Sequence, residues 1–160
     1  MNLELERLLE ERLELRGEDI YLKNEGRPVS SWMNQNGYRV LSIPLGARGL
    51  EKRVWFHRAK FFLFFGWLPE VVEHRNRSSG DNSLANLRPA TQAQNMLNRK
   101  AWDRDLPRGV YKPKRGKGFV AACTFRKKRH HLGYFKTPEE ASNAVEAFRL
   151  AKHGEFYACD

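Results

Sequence analysis

A carboxylate, a histidine and two asparagines lie within fourteen residues and could do metal-assisted chemistry. Glu73 and His74 are adjacent, and Asn82 and Asn86 follow after a polar loop. Carboxylate and amide oxygens are hard ligands that suit Mg²⁺ or Mn²⁺, with water and phosphate oxygens completing the coordination shell. A neutral histidine can take a proton from water at cellular pH. The pattern indicates a site with a metal ion and a general base. The alternative is a structural role, in which the asparagines cap turns and the histidine makes its hydrogen bonds at the end of a strand.

The element that carries Glu73 and His74 decides whether they can act together. Val71–His74 has the composition of a brief buried strand, and a polar loop over Arg75–Asp81 follows it. Neighbouring residues on an ideal strand point to opposite faces of the sheet. The two side chains can therefore share a site only if the strand ends or bends at this point, which the loop permits.

The preceding residues predict small and mixed elements. Leu5, Leu8, Leu9 and Leu13 lie on one helical face, which predicts a helix over residues 3–16 with Gly17 as its stop. Strand-like runs follow at Ile20–Lys23, Tyr38–Ile43 and Lys52–Phe56. Loop-like stretches over Asn24–Asn36 and Pro44–Gly49 separate them. His57–Gly66 is apolar almost all round and predicts a short buried helix. Thr91–Gln94 has capping-box spacing and predicts a helix through about Asn98.

A charged segment over Arg99–Pro107 predicts a module boundary, and the pattern changes after it. Three strands are predicted at Gly109–Tyr111, Phe119–Phe125 and Arg129–Phe135. The turns between them are predicted at Lys114–Gly118 and Lys127–Lys128. Thr137–Glu140 supplies an N-cap, a proline and a reciprocal glutamate for a helix that buries Ala141, Ala144, Val145, Phe148 and Ala151 and ends at Gly154. Alternation turns Phe119, Ala121, Cys123 and Phe125 toward that helix and leaves Thr124 and Arg126 on the other side. The fold class is α+β.

The net charge of +10, from 29 Lys and Arg against 19 Asp and Glu, indicates a polyanionic partner. It is unevenly placed: residues 1–18 carry a net charge of −3, whereas Arg99–Arg129 holds twelve basic residues against two aspartates. A basic tract of that density with interspersed aromatic residues is typical of nucleic-acid binding. The alternative is a solvated basic surface without a partner.

Length and composition exclude several classes. A chain of 160 residues can form one domain or two small modules and is too short for a multidomain enzyme. The longest apolar run, Phe61–Phe65, is far below the ~20 residues that cross a bilayer, and residues 1–16 lack the apolar segment of a signal peptide, so we expect no membrane association and a cytoplasmic location. Cys123 and Cys159 cannot by themselves build a disulfide framework or a zinc site, which fits a reducing compartment.

Residues 36–99 resemble the HNH endonucleases of phages and mobile introns. The resemblance rests on Glu73, His74, Asn82 and Asn86-Leu87-Arg88, with His57-Arg58 upstream. It implies a ββα-metal fold, with His74 as the general base, Glu73 and Asn86 as ligands of Mg²⁺ or Mn²⁺, and Asn82 holding the loop. His57 and Arg75 are possible supporting residues. The family usually has Asp or His where this chain has Glu73, so a non-catalytic DNA-binding protein with a degenerate site is the alternative.

Residues 107–159 resemble the AP2 DNA-binding domain. The matching strings are Arg108–Tyr111, Phe119–Ala121, His131–Phe135, Thr137–Ala141 and His153–Phe156. The resemblance implies a three-stranded sheet laid into the major groove of duplex DNA and braced by a helix. It places Arg108, Tyr111, Arg129 and His131 at contact positions, and Lys112, Lys114 and Lys117 at phosphate contacts. Alternation leaves Thr124 and Arg126 facing the DNA.

Together these patterns divide the chain into an N-terminal helix and strand over residues 1–35, a nuclease module over 36–99, a linker over 100–106 and a DNA-binding module over 107–160. The function that they indicate is metal-dependent DNA cleavage of nicking or homing type by a monomer or weak dimer. Two other interpretations remain: the non-catalytic DNA-binding protein, and a nuclease that acts on structured, damaged or host nucleic acid.

Overall fold

Four helices and several small antiparallel sheets make up residues 3–46, 49–98 and 105–154, which are the residues that this computed structural model describes. The chain divides into two compact units, Met1–Asn95 and Met96–Asp160. The α+β class is thereby confirmed. Most of the predicted linker, Cys159, and Glu155-Phe156 lie outside the described residues. In the described part of the chain, no helix has the length and apolar character that a membrane crossing requires.

The predicted N-terminal helix is wrong in its last turn. Helix α1 covers Leu3–Arg12, and the chain then forms strand β1, Leu13–Arg16, which pairs antiparallel with β2, Asp19–Leu22. Leu13 fits both the helical spacing and an alternating pattern, and its pairing with Leu22 selects the strand. Gly17, predicted as a helix stop, lies with a positive φ of 60° in the hairpin turn instead.

A three-stranded antiparallel sheet follows in the order β3-β4-β5, formed by Ser30–Met33, Arg39–Pro44 and Glu51–Trp55. The last two strands were predicted, but β3 lies inside the segment predicted as a loop. Its composition of serine, tryptophan and methionine next to turn residues gives little strand signal. Pairing with β4, where Trp32 lies opposite Val40, fixes it as a strand.

Helix α2, Phe56–Phe65, packs against this sheet and ends where predicted. Gly66 adopts a left-handed conformation with φ 78°, and its N–H donates to Phe62 O at 2.8 Å. The core of the first unit combines buried side chains from α1, α2 and the strands, among them Leu9, Leu13, Ile20, Leu41, Ile43 and Phe56. The prediction that α2 is buried all round is wrong at its C-terminal end, because Phe64 and Phe65 are exposed.

The segment with the candidate site is a hairpin followed by a short helix. Strand β6, Val71–His74, pairs antiparallel with β7, Leu87–Ala90, and α3 covers Gln92–Leu97. The Thr91 hydroxyl accepts from Gln94 N–H at 3.2 Å, and the Gln94 amide oxygen accepts from Thr91 N–H at 2.7 Å. This reciprocal pair confirms the predicted capping box.

The second unit contains a three-stranded antiparallel sheet and one long helix. Strands β8, β9 and β10 are Val110–Tyr111, Phe119–Phe125 and Lys128–Phe135, and they lie in the order β10-β9-β8. Arg126 and Lys127 adopt positive φ angles of 49° and 63°, so the turn lies one residue earlier than predicted. The register between β9 and β10 shifts between His131 and Gly133.

Helix α4, Pro138–His153, covers one face of that sheet. Thr137 and Glu140 form the predicted capping box, and Ala141 and Val145 pack with Val110 and Ala121 in the core. Farther along the helix the predicted stripe fails: Ala151 is exposed and the buried residue is Arg149. The buried residues of α4 are therefore Ala141, Val145 and Arg149, which follow each other at intervals of four. The predicted buried stripe is wrong at its last residue, Ala151.

Candidate functional site

The end of the β6-β7 hairpin positions the candidate residues of the first unit. Glu73 lies opposite Arg88 and His74 lies opposite Leu87 in the antiparallel register. Immediately beyond, Arg75 N–H donates to Asn86 O at 2.8 Å and closes the base of the intervening loop. Strand β6 ends at His74, and the exposed Arg75 begins the loop. Glu73 and His74 are both paired residues of the strand, so alternation turns their side chains to opposite faces.

His74 is buried and is oriented by Asn82. Its Nε2 lies 3.0 Å from Asn82 Oδ1, and Asn82 Nδ2 donates to Gly80 O at 3.3 Å. An amide oxygen can only accept, so His74 Nε2 is the donor in this pair. In the neutral ring, the lone pair that can take a proton then lies on Nδ1.

A second histidine lies against the first. The rings of His57 and His74 are 4.8 Å apart between centroids, and the ring of Tyr38 is 5.8 Å from His57 and 6.0 Å from His74. Burial, together with the nearby charges of His74 and Arg58, lowers the pKa of His57 to about 3. His57 is therefore neutral at physiological pH, and it is placed next to the candidate base.

Two aromatic residues of this cluster were not singled out from the sequence. Tyr38 precedes β4 and Trp55 ends β5, and their rings lie 5.3 Å apart in an edge-to-face arrangement. The ring of Trp55 is also stacked with that of His57, with 6.4 Å between the ring centroids, and Trp55 is 41% exposed. The only sequence signal is the position of Trp55 two residues before His57, because the contact with Tyr38 depends on the pairing of β4 with β5.

Glu73 is held in a buried ion pair. Arg88 Nε donates to Glu73 Oε2 at 2.9 Å, and both residues are at most 5% exposed. The other carboxylate oxygen, Oε1, is buried and has no hydrogen-bond partner among the residues that the structure describes. A buried carboxylate oxygen without a donor is costly, so this atom is open to a cation or another donor.

Asn86 makes the hydrogen bonds that hold the loop, which the resemblance implies for Asn82. Its Oδ1 accepts from Asn76 N–H at 3.0 Å, and its Nδ2 donates to Asp81 O at 2.7 Å. Asp81 strengthens the same loop through bonds from Ser83, and these bonds hold the pKa of Asp81 below its usual range. The structure thus brings His74 to Asn82 and His57, Glu73 to Arg88, and Asn86 to the loop.

Two side-chain oxygens of the candidate ligands keep lone pairs that no described hydrogen bond uses. Glu73 Oε1 has no partner in the described residues, and Asn86 Oδ1 accepts one bond, although a carbonyl oxygen has two lone pairs. No cluster of three or more His, Cys, Asp or Glu residues suited to a metal occurs in residues 3–46, 49–98 and 105–154. A cation held by Glu73 and Asn86 would need its remaining ligands from water and substrate.

The candidate DNA-binding residues of the second unit lie largely on one face of its sheet. In the register of β9 with its neighbours, Tyr111 lies opposite Val120, His131 opposite Ala122 and Arg129 opposite Thr124. Side chains alternate along strands, so these residues share the face away from Ala121 and α4. We call it the outward face, with Tyr111, Thr124, Arg129, His131 and Tyr134 as its defining residues.

The remaining candidates lie around this face. Lys112, Lys114 and Lys117 are exposed in the β8-β9 connection, Arg126 is in the β9-β10 turn, and Arg108 is half-buried before β8. On the outward face the Arg129 guanidinium lies 5.1 Å from the Tyr111 ring centroid, and His131 lies 5.0 Å from Tyr134. Tyr134 was missed as a site residue. Strict alternation would place it on the same face as Leu132, which packs against the core, and the register shift between His131 and Gly133 puts it on the outward face.

Comparisons of the chain with protein-family models, with curated proteins and with solved structures each found no match.

Proposed function

We propose that the chain is a divalent-metal-dependent DNA endonuclease of the HNH type. It hydrolyses phosphodiester bonds and is a nicking or homing endonuclease. The observation that carries the proposal is the buried Glu73 Oε1, which has no hydrogen-bond partner among the described residues and lies one residue from a histidine whose tautomer is set by Asn82. Metal-assisted hydrolysis needs a carboxylate that can hold a cation and a base that can take a proton from water, and these two adjacent residues are of those types.

His74 acts as the general base in this proposal. Asn82 holds its Nε2–H, so Nδ1 takes the proton of the attacking water. The water oxygen forms a bond to phosphorus, and the bond from phosphorus to the leaving sugar oxygen breaks. The neighbouring His57 is neutral, because its pKa is about 3, so it adds no positive charge that would oppose protonation of His74.

Glu73 and Asn86 would hold Mg²⁺ or Mn²⁺ in the proposed site. When bound, the cation supplies positive charge beside the scissile phosphate and the leaving oxygen. Arg88 fixes the Glu73 carboxylate through Oε2, which directs the second oxygen away from the ion pair. Asn76 N–H fixes the Asn86 amide in the same way.

Duplex DNA is the proposed substrate because the outward face combines basic and aromatic side chains. Arg129, Tyr111, His131 and Tyr134 are exposed there, and three exposed lysines lie in the adjacent connection. Arginine and lysine neutralise phosphates, and the resulting binding weakens as salt rises.

A second candidate, a non-catalytic DNA-binding protein, is favoured by the same ion pair. Arg88 neutralises the Glu73 carboxylate, and the amide of Asn86 is used at both ends by the loop. If Glu73 and Asn86 serve only to make these structural contacts, the outward face binds DNA and no phosphodiester bond is cut.

A plasmid-cleavage assay separates the two candidates. Full-length protein with Mg²⁺ or Mn²⁺ should nick supercoiled DNA, EDTA should stop it, and His74→Ala should lower the rate about 10²- to 10⁴-fold without loss of duplex affinity. The matched control is His130→Ala, since His130 packs on Phe148 on the helix side of the sheet. Binding without nicking under every metal condition would support the non-catalytic candidate.

A further inference from the structure

Two exposed tryptophans lie on the same face of the β3-β4-β5 sheet in the first unit. Trp32 on β3 and Trp55 on β5 are both paired opposite Val40 on β4, and they are 40% and 41% exposed. The next residue of β4, Leu41, is fully buried in the core. Alternation therefore turns both tryptophans away from the core. We call this surface the tryptophan face and define it by Trp32, Val40, Arg53 and Trp55.

Arg53 adds a positive charge to the tryptophan face. It lies two residues before Trp55 on β5, and its guanidinium is 5.6 Å from the centroid of the Trp32 ring, within the range of a cation–π contact. The carboxylate that β5 places on the same face, that of Glu51, accepts a hydrogen bond from the Ser42 hydroxyl. The exposed groups of the face are thus two indole rings with a guanidinium beside one of them.

Strand pairing fixes the positions of the two rings. Strand β4 lies between β3 and β5, and neighbouring strands are about 4.8 Å apart, so Trp32 and Trp55 are attached about 10 Å from each other. Val40 lies between them and is buried. Because both tryptophans are on paired strands, the backbone that carries the rings is ordered before a ligand arrives, which lowers the entropy cost of binding.

The tryptophan face continues into the candidate site through ring contacts. The ring of Trp55 is 5.3 Å from that of Tyr38 and 6.4 Å from that of His57, and the ring of His57 is 4.8 Å from that of His74. All four residues belong to the first unit. A DNA strand bound at His74 therefore has the exposed ring of Trp55 close to its neighbouring nucleotides.

We propose that the tryptophan face binds unpaired bases of a DNA strand, with Trp32 and Trp55 as stacking surfaces and Arg53 as a phosphate contact. Aromatic side chains beside a cation are the groups that bind single strands, and stacking on them tolerates any base. In duplex DNA the bases are stacked on each other and offer their faces only after unpairing. The inference rests on the proposed function in taking DNA as the ligand, and it names the substrate class as DNA with unpaired bases beside the cleaved bond.

The first experiment measures binding of a thymidine strand and of an abasic strand of equal length to the full-length protein in EDTA. The two strands carry the same phosphates, so only the thymidine strand can gain from stacking. Trp32→Ala and Trp55→Ala should each weaken binding of the thymidine strand about 5- to 150-fold and leave binding of the abasic strand unchanged.

Trp67→Ala is the matched control. Trp67 belongs to the same unit and is 48% exposed, but its ring contacts Phe61 of α2 at 5.6 Å between centroids. This variant should bind both strands as the wild type does. Equal effects of Trp55→Ala and Trp67→Ala, or equal losses for both strands, would overturn the proposal and leave the face for a protein partner or a second copy of the chain.

Because the tryptophans flank the buried Val40, their removal can lower stability, so thermal unfolding of each variant is measured first. If Trp55→Ala does not fold, Trp55→Phe and Trp55→Leu carry the comparison, since both keep an apolar side chain beside Val40 and only phenylalanine offers an aromatic face. Trp55→Phe should keep most of the affinity for the thymidine strand, and Trp55→Leu should lose it. Full affinity in a folded Trp55→Leu protein would overturn the proposal.

The two proposals fail in different measurements. A protein whose affinity for the thymidine strand depends on Trp32 and Trp55, but which nicks no plasmid under any metal condition, would overturn the proposed function and support the stacking face. A protein that nicks with Mg²⁺, and whose Trp32 and Trp55 variants bind the thymidine strand as the wild type does, would overturn the stacking face alone.

Discussion

The candidate residues of the first unit are buried and engaged, whereas those of the second unit are mostly exposed. Glu73, His74 and Asn86 are each at most 7% exposed and make hydrogen bonds within the fold. Arg129 and His131, in contrast, lie on an open sheet face. A residue that is both a structural partner and a candidate ligand changes two properties when it is replaced. Tests of catalysis by the first unit therefore need stability measurements on the same variants. Tests of DNA binding by the second unit do not.

The Glu73–Arg88 ion pair should give the largest stability effect. Arg88→Met leaves a buried carboxylate without its cation and should lower the free energy of unfolding by about 3–5 kcal/mol. The double variant Glu73→Leu/Arg88→Met should recover most of this loss, because both charges are removed. Urea denaturation in EDTA measures both effects.

An exposed ion pair provides the control for that measurement. Arg7 and Glu11 form a salt bridge on the surface of α1, and Arg7→Met should leave the free energy of unfolding nearly unchanged. If Arg88→Met were no more destabilising than Arg7→Met, burial would not be what distinguishes the two regions.

The same contrast explains what the sequence could predict. The capping box at Thr137 and Glu140 and the end of helix α2 at Gly66 were predicted because their signals are local. Strand β3 and the switch from helix to strand at Leu13 were missed because they are decided by pairing with distant strands. In the candidate site, residue types and order were readable, but the partners Arg88 and Tyr38 depend on register and packing.

Asn86 and Asn82 should differ in what they support. Asn86→Ala leaves Asn76 N–H and Asp81 O without their partner and should lower the free energy of unfolding by about 1–3 kcal/mol. Asn82→Ala should cost less stability, because Asn82 is only half-buried, but it releases His74 Nε2 and should slow cleavage. Denaturation and plasmid nicking on both variants test this, and a reversed order of stabilities would contradict the roles drawn from the hydrogen bonds.

His57 should make the stability of the first unit depend on pH. Its pKa is about 3 in the fold against 6.5 in the unfolded chain, so between these values the unfolded state binds more protons. The free energy of unfolding should therefore fall as pH falls from 6.5 toward 3, by up to about 1.4 kcal/mol per pH unit from this group. His57→Phe removes the group and keeps a ring beside Tyr38. If the variant and the wild type lose stability in parallel over this range, His57 is not buried in its neutral form.

Arg129 and Lys128 provide the finest test of the exposed region, because they are adjacent on β10 and point to opposite faces. Arg129 lies opposite Thr124 on the outward face, whereas Lys128 lies opposite Phe125 on the helix side. If the outward face contacts phosphates, Arg129→Ala should reduce the slope of log affinity against log salt by about 0.9, the share of one released counterion. Lys128→Ala removes the same charge and should leave the slope nearly unchanged. Binding of one duplex across a salt series measures both slopes, and equal reductions would mean that charge alone, and not the face of the sheet, determines how the second unit binds DNA.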